Sequence, residues 1–366
     1  GSSTIGMKKS VVEMTEVPLP RSYTAASSLD WLPTNRRGSG RMSIRLCRIS
    51  SSNFGAILQP QPDPWLYSVK HIVDLFIVAG RIKSIRHIRK SCLIYHIALL
   101  EGSGLDYQRR FGGVARLYGD AALAAFRCSH VCVIGIGGVG SWSAEALARS
   151  GIGRLTLIDL DHVAESNINR QLQALTTNMG KNKIQVMAER IAEINPACTV
   201  NLVDDFISPE NQSGCLHNGM DYIIDCIDDF RTKAALIDFC KINQINLVTT
   251  GGAGGKSDPA KIRLTDLARS EQDPLLAKTR SLLRQRYGFP RNLKKNFKVP
   301  CVWSEEQQVF MWNNGELCPQ RQPSDHESIA NQSLNCGGLG SSMPVTATFA
   351  HFAVAHVLDK LTGNQH

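Results

Sequence analysis

Eleven cysteines are spread over 366 residues without a single C-x-x-C pair. That absence excludes a paired-cysteine zinc knuckle, and the scatter argues against a secreted disulfide framework, so a reducing compartment is expected. No apolar run approaches the roughly 18 residues of a membrane span; HIVDLFIVAG and CLIYHIALL are short and separated by basic residues. No internal repeat is evident, which removes a solenoid from consideration. Acids are almost missing over residues 17–60, where Asp30 stands alone, and wholly missing over residues 277–298.

What is present divides unevenly. The net charge is +9, of which residues 1–108 carry +7 and residues 109–366 only +2. Residues 1–105 are rich in Ser and Arg, sustain no periodicity, and read as a low-order basic extension. A mitochondrial-type transit peptide, a regulatory tail and read-through upstream of the true start all fit that composition. Residues 277–298, AKTRSLLRQRYGFPRNLKKNFK, hold eight cations. Such a run can pair with nucleic-acid phosphates, and a solvated basic loop fits the composition equally.

Pattern begins near residue 106. RRFGGVARLYGDAALAAF reads as a helix, HVCVIGI as a buried strand, SWSAEALARSG as a helix and RLTLIDLD as a second strand. The alternation continues through KNKIQVMAERIAEIN, TVNLVDD, DYIIDCID, RTKAALIDFCKINQ and INLVTTGG. It predicts an α/β fold with a Rossmann-like, doubly wound, largely parallel sheet. Residues 106–256 form the expected nucleotide domain. Residues 257–366 form a C-terminal α+β extension, expected to face substrate and to support dimerisation.

The chemistry starts at GIGGVG. Gly135, Gly137, Gly138 and Gly140 permit a tight turn and close approach of backbone to phosphate, and the following helix aims its free N–H groups at an anion. Asp159, 19 residues beyond Gly140, is placed to accept from ribose hydroxyls. These features suit any nucleotide. Beyond them ESNINRQ supplies Asn167, Arg170 and Gln171, NMGKNK supplies Lys183, and IIDCIDD supplies Asp228. Hydride transfer from a dinucleotide needs no such cations, because its pyrophosphate stays intact. Transfer of a nucleotidyl group does, since charge develops on phosphate oxygens and a carboxylate must hold Mg²⁺.

The order of Gly turn, Asp, N-x-x-R-Q, Lys and Asp resembles the ubiquitin-activating-enzyme-like superfamily, with its bacterial adenylating enzymes of molybdopterin and thiamin biosynthesis. The resemblance covers residues 105–366 and is closer to one branch, the tRNA threonylcarbamoyladenosine dehydratases, through QRRFGGVARLYG, VTTGGAGGKSDP, DPLLAKTR and PCVWSEE. It implies that the Gly loop binds ATP and that Asp159, Asn167, Arg170, Gln171, Lys183 and Asp228 contact ribose, phosphates or Mg²⁺. It further implies a homodimer that cyclises threonylcarbamoyladenosine beside the tRNA anticodon, through an activated carboxylate such as an adenylate. A cytoplasmic enzyme is expected, with a mitochondrial one as alternative should the extension be a transit peptide.

The chain departs from the superfamily pattern in two places. Gly113 replaces the second Arg of R-x-x-R-Q, which reaches the partner's ATP in many members, leaving Arg110 as the nearest candidate. The paired zinc cysteines of sulfur-transfer relatives are missing, which counts against the alternative function, adenylation of the C-terminal Gly of a ubiquitin-like sulfur carrier. Cys301 falls where the superfamily's mobile cysteine segment lies. Its basic surroundings suggest a lowered pKa and a catalytic or sulfur-accepting role with a sulfur-transfer partner, against the plainer reading of a small buried hydrophobe. The basic stretch is the candidate surface for the anticodon stem-loop.

Overall fold

The computed structural model describes residues 107–312, 314–320 and 339–363. The extension predicted over residues 1–105 lies outside them. Two helices precede the sheet, α1 (Tyr107–Tyr118) and α2 (Asp120–Cys128). The sequence reading of one helix here is corrected: Gly119 takes φ +92° between the two, a conformation that glycine adopts readily and that ends α1.

Then follow β1 (His130–Ile134), α3 (Gly140–Arg149), β2 (Arg154–Ile158), α4 (Lys183–Ile194), β3 (Thr199–Val203) and the short α5 (Gln212–Cys215). The chain continues through β4 (Tyr222–Asp225), α6 (Phe230–Ile242), β5 (Leu247–Thr250), β6 (Ile262–Asp266), α7 (Pro274–Arg286) and β7 (Pro300–Ser304). A small antiparallel pair, β8 (Phe310–Met311) with β9 (Leu317–Cys318), precedes the last helix, α8 (Met343–Thr362).

The main sheet has the order β3-β2-β1-β4-β5-β7-β6. Every neighbouring pair is parallel except antiparallel β6–β7. Residues beyond 256 therefore extend the same sheet, and β6 gives the C-terminal part its α+β character. β1, β4 and β5 are buried along their whole length, as parallel strands covered on both faces must be. Alternation along β1 shows the two layers. Val131 and Val133 pack with residues of α2, α3, α4 and α8, while Cys132 and Ile134 pack with residues of α6 and α7.

Strand order reverses between β1 and β4, the switch point where an open parallel sheet leaves a crevice at its carboxyl edge. Register makes that edge level: Ile134 pairs with Ile158 on one side and with Asp225 on the other. Gly135, Asp159 and Cys226 thus leave the sheet side by side.

At the opposite edge, His130 is buried and its Nε2 lies 2.8 Å from Thr156 Oγ1. Burial and the neighbouring Arg154 push its pKa down to about 4. The unfolded chain takes up a proton near the usual histidine pKa and the folded chain does not, so stability should fall as pH drops from about 6.5 towards 4. Thermal melts of the parent and of His130→Asn across that window check this; the variant should lose less of its melting temperature on acidification.

Candidate active site

The crevice is a cavity of about 340 Å³ lined by the Gly turn, Asp159, Asp161, Arg170, Gln171, Lys183 and Asp228, among others. Gly135 turns the chain out of β1 with φ +85°, and its amide donates to the Ile158 carbonyl at 2.9 Å. The tightest point lies at Gly140, where a Cβ would stand 1.8 Å from the Gly135 carbonyl oxygen. This packing folds the first turn of α3 back onto the strand end. Gly137 and Gly138 line the crevice, Gly140 does not, and no side chain caps α3. The helix's first N–H groups and its positive dipole end are thereby left for an anion.

Asp159 follows β2 directly. Its carboxylate accepts the Ile136 amide at 2.6 Å and the Asp161 amide at 2.8 Å, which fixes it against the Gly turn. Burial holds this carboxyl above the usual range, against the pull of Lys183. Lys183 opens α4, whose first turn is capped by the Asn182 side chain. Its Nζ meets Asp161 Oδ2 at 2.7 Å, with the lysine side chain only 6% exposed. Asp161 was not singled out from sequence. It is two residues past Asp159, and only the fold brings it to Lys183 Nζ.

Arg170 sits on the loop after a short helical turn. Its guanidinium donates to the Ser166 carbonyl and Asn169 Oδ1, and its own carbonyl accepts from Trp142 Nε1 at 3.0 Å. Gln171 lines the crevice and accepts from Gln173 Nε2. Asn167 was grouped with the phosphate-contacting residues, but it does not line the crevice. Its Oδ1 accepts the Ala164 amide at 3.1 Å, so within the chain it shapes the loop that carries Arg170.

Asp228 lines the crevice from the turn beyond β4, three residues past the strand end at Asp225. Burial raises its carboxyl above the usual range. Beneath it lies a network that sequence reasoning missed. Lys233 Nζ meets Asp225 Oδ2 at 2.7 Å, both side chains being fully buried, and Thr249 Oγ1 donates to the same oxygen at 2.6 Å. Asp225 Oδ1 accepts the Ile227 amide, one residue before Asp228. Among the described residues no three His, Cys, Asp or Glu side chains gather as a metal cage. A divalent cation would rest on Asp228 and on phosphate oxygens, the donor set that suits Mg²⁺.

Two predicted site residues lie elsewhere. Arg110 does not line the crevice; its Nη1 donates to the carbonyls of Glu193 and Ile194, capping the C-terminal end of α4. Cys301 lies on β7, between β5 and β6, with no exposed surface. The expectation of a mobile segment and a lowered pKa is corrected. Loss of solvent pushes the thiol well up, and the nearby cations do not offset it.

The basic stretch is most of α7, residues 277–286, and a pinned loop. Arg269 donates to Asn296 Oδ1 and to the carbonyls of Leu293 and Lys294, and Asp266 accepts the amides of Phe297 and Val299. Arg280 and Arg284 are half-buried and bond internally. Lys278, Arg286, Arg291, Lys294, Lys295 and Lys298 are exposed.

The profile of the ThiF family matches residues 107–366. A Haemophilus influenzae protein named tRNA threonylcarbamoyladenosine dehydratase is 52% identical over 257 residues, 70% of this chain and 94% of that protein. The Escherichia coli protein of that name is 50% identical over 256 residues, again 70% of this chain and 94% of the relative. A crystal structure of the Escherichia coli enzyme in complex with ATP matches with a TM-score of 0.62 and 49% identity, covering 70% of this chain and 95% of that one.

Gly140→Ala should weaken ATP binding at least about 30-fold, an overpacking effect on the order of 2 kcal/mol. Calorimetric titration with ATP and Mg²⁺ measures it; affinity within a factor of two of the parent would contradict the tight turn as the phosphate cradle.

Proposed function

The chain belongs to the ThiF family, and on that premise we propose that it is a tRNA threonylcarbamoyladenosine dehydratase: it uses ATP to cyclise N6-threonylcarbamoyladenosine next to the anticodon, with net loss of water. The reading is carried by one coincidence. A chain about half identical to dehydratases, over nearly their whole length, brings a Gly turn, a strand-end Asp, a buried Lys, an Arg and a second Asp around one crevice.

ATP with Mg²⁺ would supply a phosphorus centre that gives the threonyl carboxyl carbon a good leaving group. The chain's part is to position and to balance charge. The Gly137–Gly138 backbone and the first turn of α3 receive phosphate, Asp159 receives the ribose hydroxyls, and Asp228 is the residue that would hold Mg²⁺. Lys183 and Arg170 offset the negative charge that builds on phosphate oxygens, and Asp161 keeps Lys183 aimed. Thr250, the Gly251–Gly254 turn and Gln308 line the remainder of the crevice and form the acyl side. Ring closure needs no enzyme nucleophile, because the substrate's own urea-type nitrogen reaches the activated carbonyl within one molecule. Burial of Cys301 accords with that. The exposed cations from Lys278 to Lys298 dock the anticodon stem-loop. A homodimer would cover Met343 and Phe352 on α8, which are 43% and 38% exposed, and the enzyme works in the cytoplasm.

Nucleoside mass spectrometry of threonylcarbamoyladenosine-containing tRNA, incubated with protein, Mg²⁺ and ATP, tests the reading. The expected result is an ATP-dependent loss of one water mass. An unchanged nucleoside, with pyrophosphate exchange into ATP on adding a ubiquitin-like carrier instead, would move the activity to carrier adenylation. In the same assay Lys183→Ala should lower the rate by about 10²- to 10³-fold, the usual loss for one donor to developing charge. Replacing Arg291, Lys294 and Lys295 together with Glu should weaken tRNA binding, flatten its salt dependence by roughly two to three ion equivalents and leave ATP affinity unchanged.

A further inference from the structure

The crevice wall opposite the Gly135 turn rests on a second buried ion pair that the nucleotide chemistry does not use. Lys256 and Asp273 have fully buried side chains, and Lys256 Nζ stands 3.5 Å from Asp273 Oδ2. Lys256 Nζ has no hydrogen-bond partner among the described residues; it faces Asp273 and lies 5.7 Å from the centre of the Phe349 ring on α8. Burying two charges is costly unless their remaining bonds are well made. Asp273 makes them in two directions. Its Oδ1 accepts the Leu276 amide at 3.0 Å and so caps the first turn of α7. Its Oδ2 accepts the Gly252 amide at 2.9 Å, inside the turn that lines the acyl side of the crevice. The fit is close: a Cβ on Gly251 would lie 2.2 Å from that oxygen.

One carboxylate therefore joins the Gly251–Gly254 wall to the helix that bears the exposed cations Lys278 and Arg286. A helix cap alone needs only one side-chain oxygen and no buried lysine. We propose that Asp273, with Lys256 as its counter-ion, is a positioning residue that keeps the acyl-side wall in register with the basic helix, so that tRNA docked on α7 presents its threonyl carboxylate to the activated nucleotide. This rests on the reading of the crevice as a tRNA-modifying site. It adds a residue that touches neither ATP nor tRNA and acts on the step between binding and chemistry.

The prediction is a split between binding and turnover. The test variant is the double substitution Lys256→Met with Asp273→Ser, which removes both buried charges, leaves a hydroxyl able to cap α7 and severs the tie to Gly252. ATP affinity and tRNA affinity should each stay within about two-fold of the parent, while the single-turnover dehydration rate at saturating ATP and tRNA falls at least 20-fold, the range seen when a positioned substrate shifts by a fraction of an ångström to an ångström. Asp273→Asn is the second variant. It keeps volume and the cap but turns an amide N–H₂ towards the Gly252 N–H, and should show the same split. A dehydration rate within three-fold of the parent in either folded variant would overturn the proposal. So would a loss of ATP affinity as large as the loss of rate, because that marks a general structural role. If the parent itself leaves the nucleoside unchanged, the dehydratase reading fails; if the parent dehydrates and the variants do so equally, only the coupling fails.

Discussion

The Gly140 Cα approaches the Gly135 carbonyl so closely that no side chain fits between them, and the geometry of the whole crevice depends on that contact. It brings the uncapped first turn of α3 over the end of β1. It also leaves the Gly135 backbone beside the Cys226 carbonyl, which a Cβ at Gly135 would meet at 3.0 Å. The turn that carries Asp228 therefore begins next to the phosphate cradle rather than across the sheet. Level registers of β1, β2 and β4 then bring Asp159 and Asp228 to the same edge from opposite sides.

Charge in this crevice is arranged in two layers. In the lining, Lys183 is held by Asp161, and Arg170 is held by backbone oxygen and an amide side chain. Below it, the Asp225–Lys233 and Asp273–Lys256 pairs are wholly buried. Neither buried pair is an argument for stability, since apolar replacements of equal volume commonly do as well. Each instead hands one carboxylate oxygen to a backbone amide of a crevice turn, Ile227 in one case and Gly252 in the other. Turns of this kind have few apolar contacts to hold them, so oriented carboxylates set their shape.

Much of this was legible in the sequence because it rests on local patterns. The alternation of strand and helix, the glycine spacing and the strand-end position of Asp159 all follow from period and backbone sterics. Residues whose surroundings depend on distant partners are less legible. Asn167 stands in the right motif but turns its oxygen onto the Ala164 amide. Arg110 is close in sequence to the superfamily's arginine position, and within one chain its guanidinium donates to the carbonyls at the end of α4. Cys301 lies near many cations in sequence, but pairing of β7 between β5 and β6 removes it from solvent, and burial then governs its thiol. The supporting residues were not singled out: Lys256 and Asp273 stand inside stretches that carried the resemblance, Asp161 and Lys233 inside an ordinary strand end and helix, and none has a role that local spacing reveals. Their partners become neighbours only when the sheet closes.

The central claim is that this crevice activates a carboxylate at phosphorus. The most direct measurement follows heavy oxygen introduced into the threonyl carboxylate of the tRNA substrate. Attack of that carboxylate on phosphorus, followed by ring closure, breaks the bond between the acyl carbon and the bridging oxygen. One heavy oxygen should then appear in the phosphorus-containing product, in AMP if the α-phosphate is attacked. Cyclisation with the departing labelled oxygen released to water, and none in AMP, ADP or phosphate, would contradict the account.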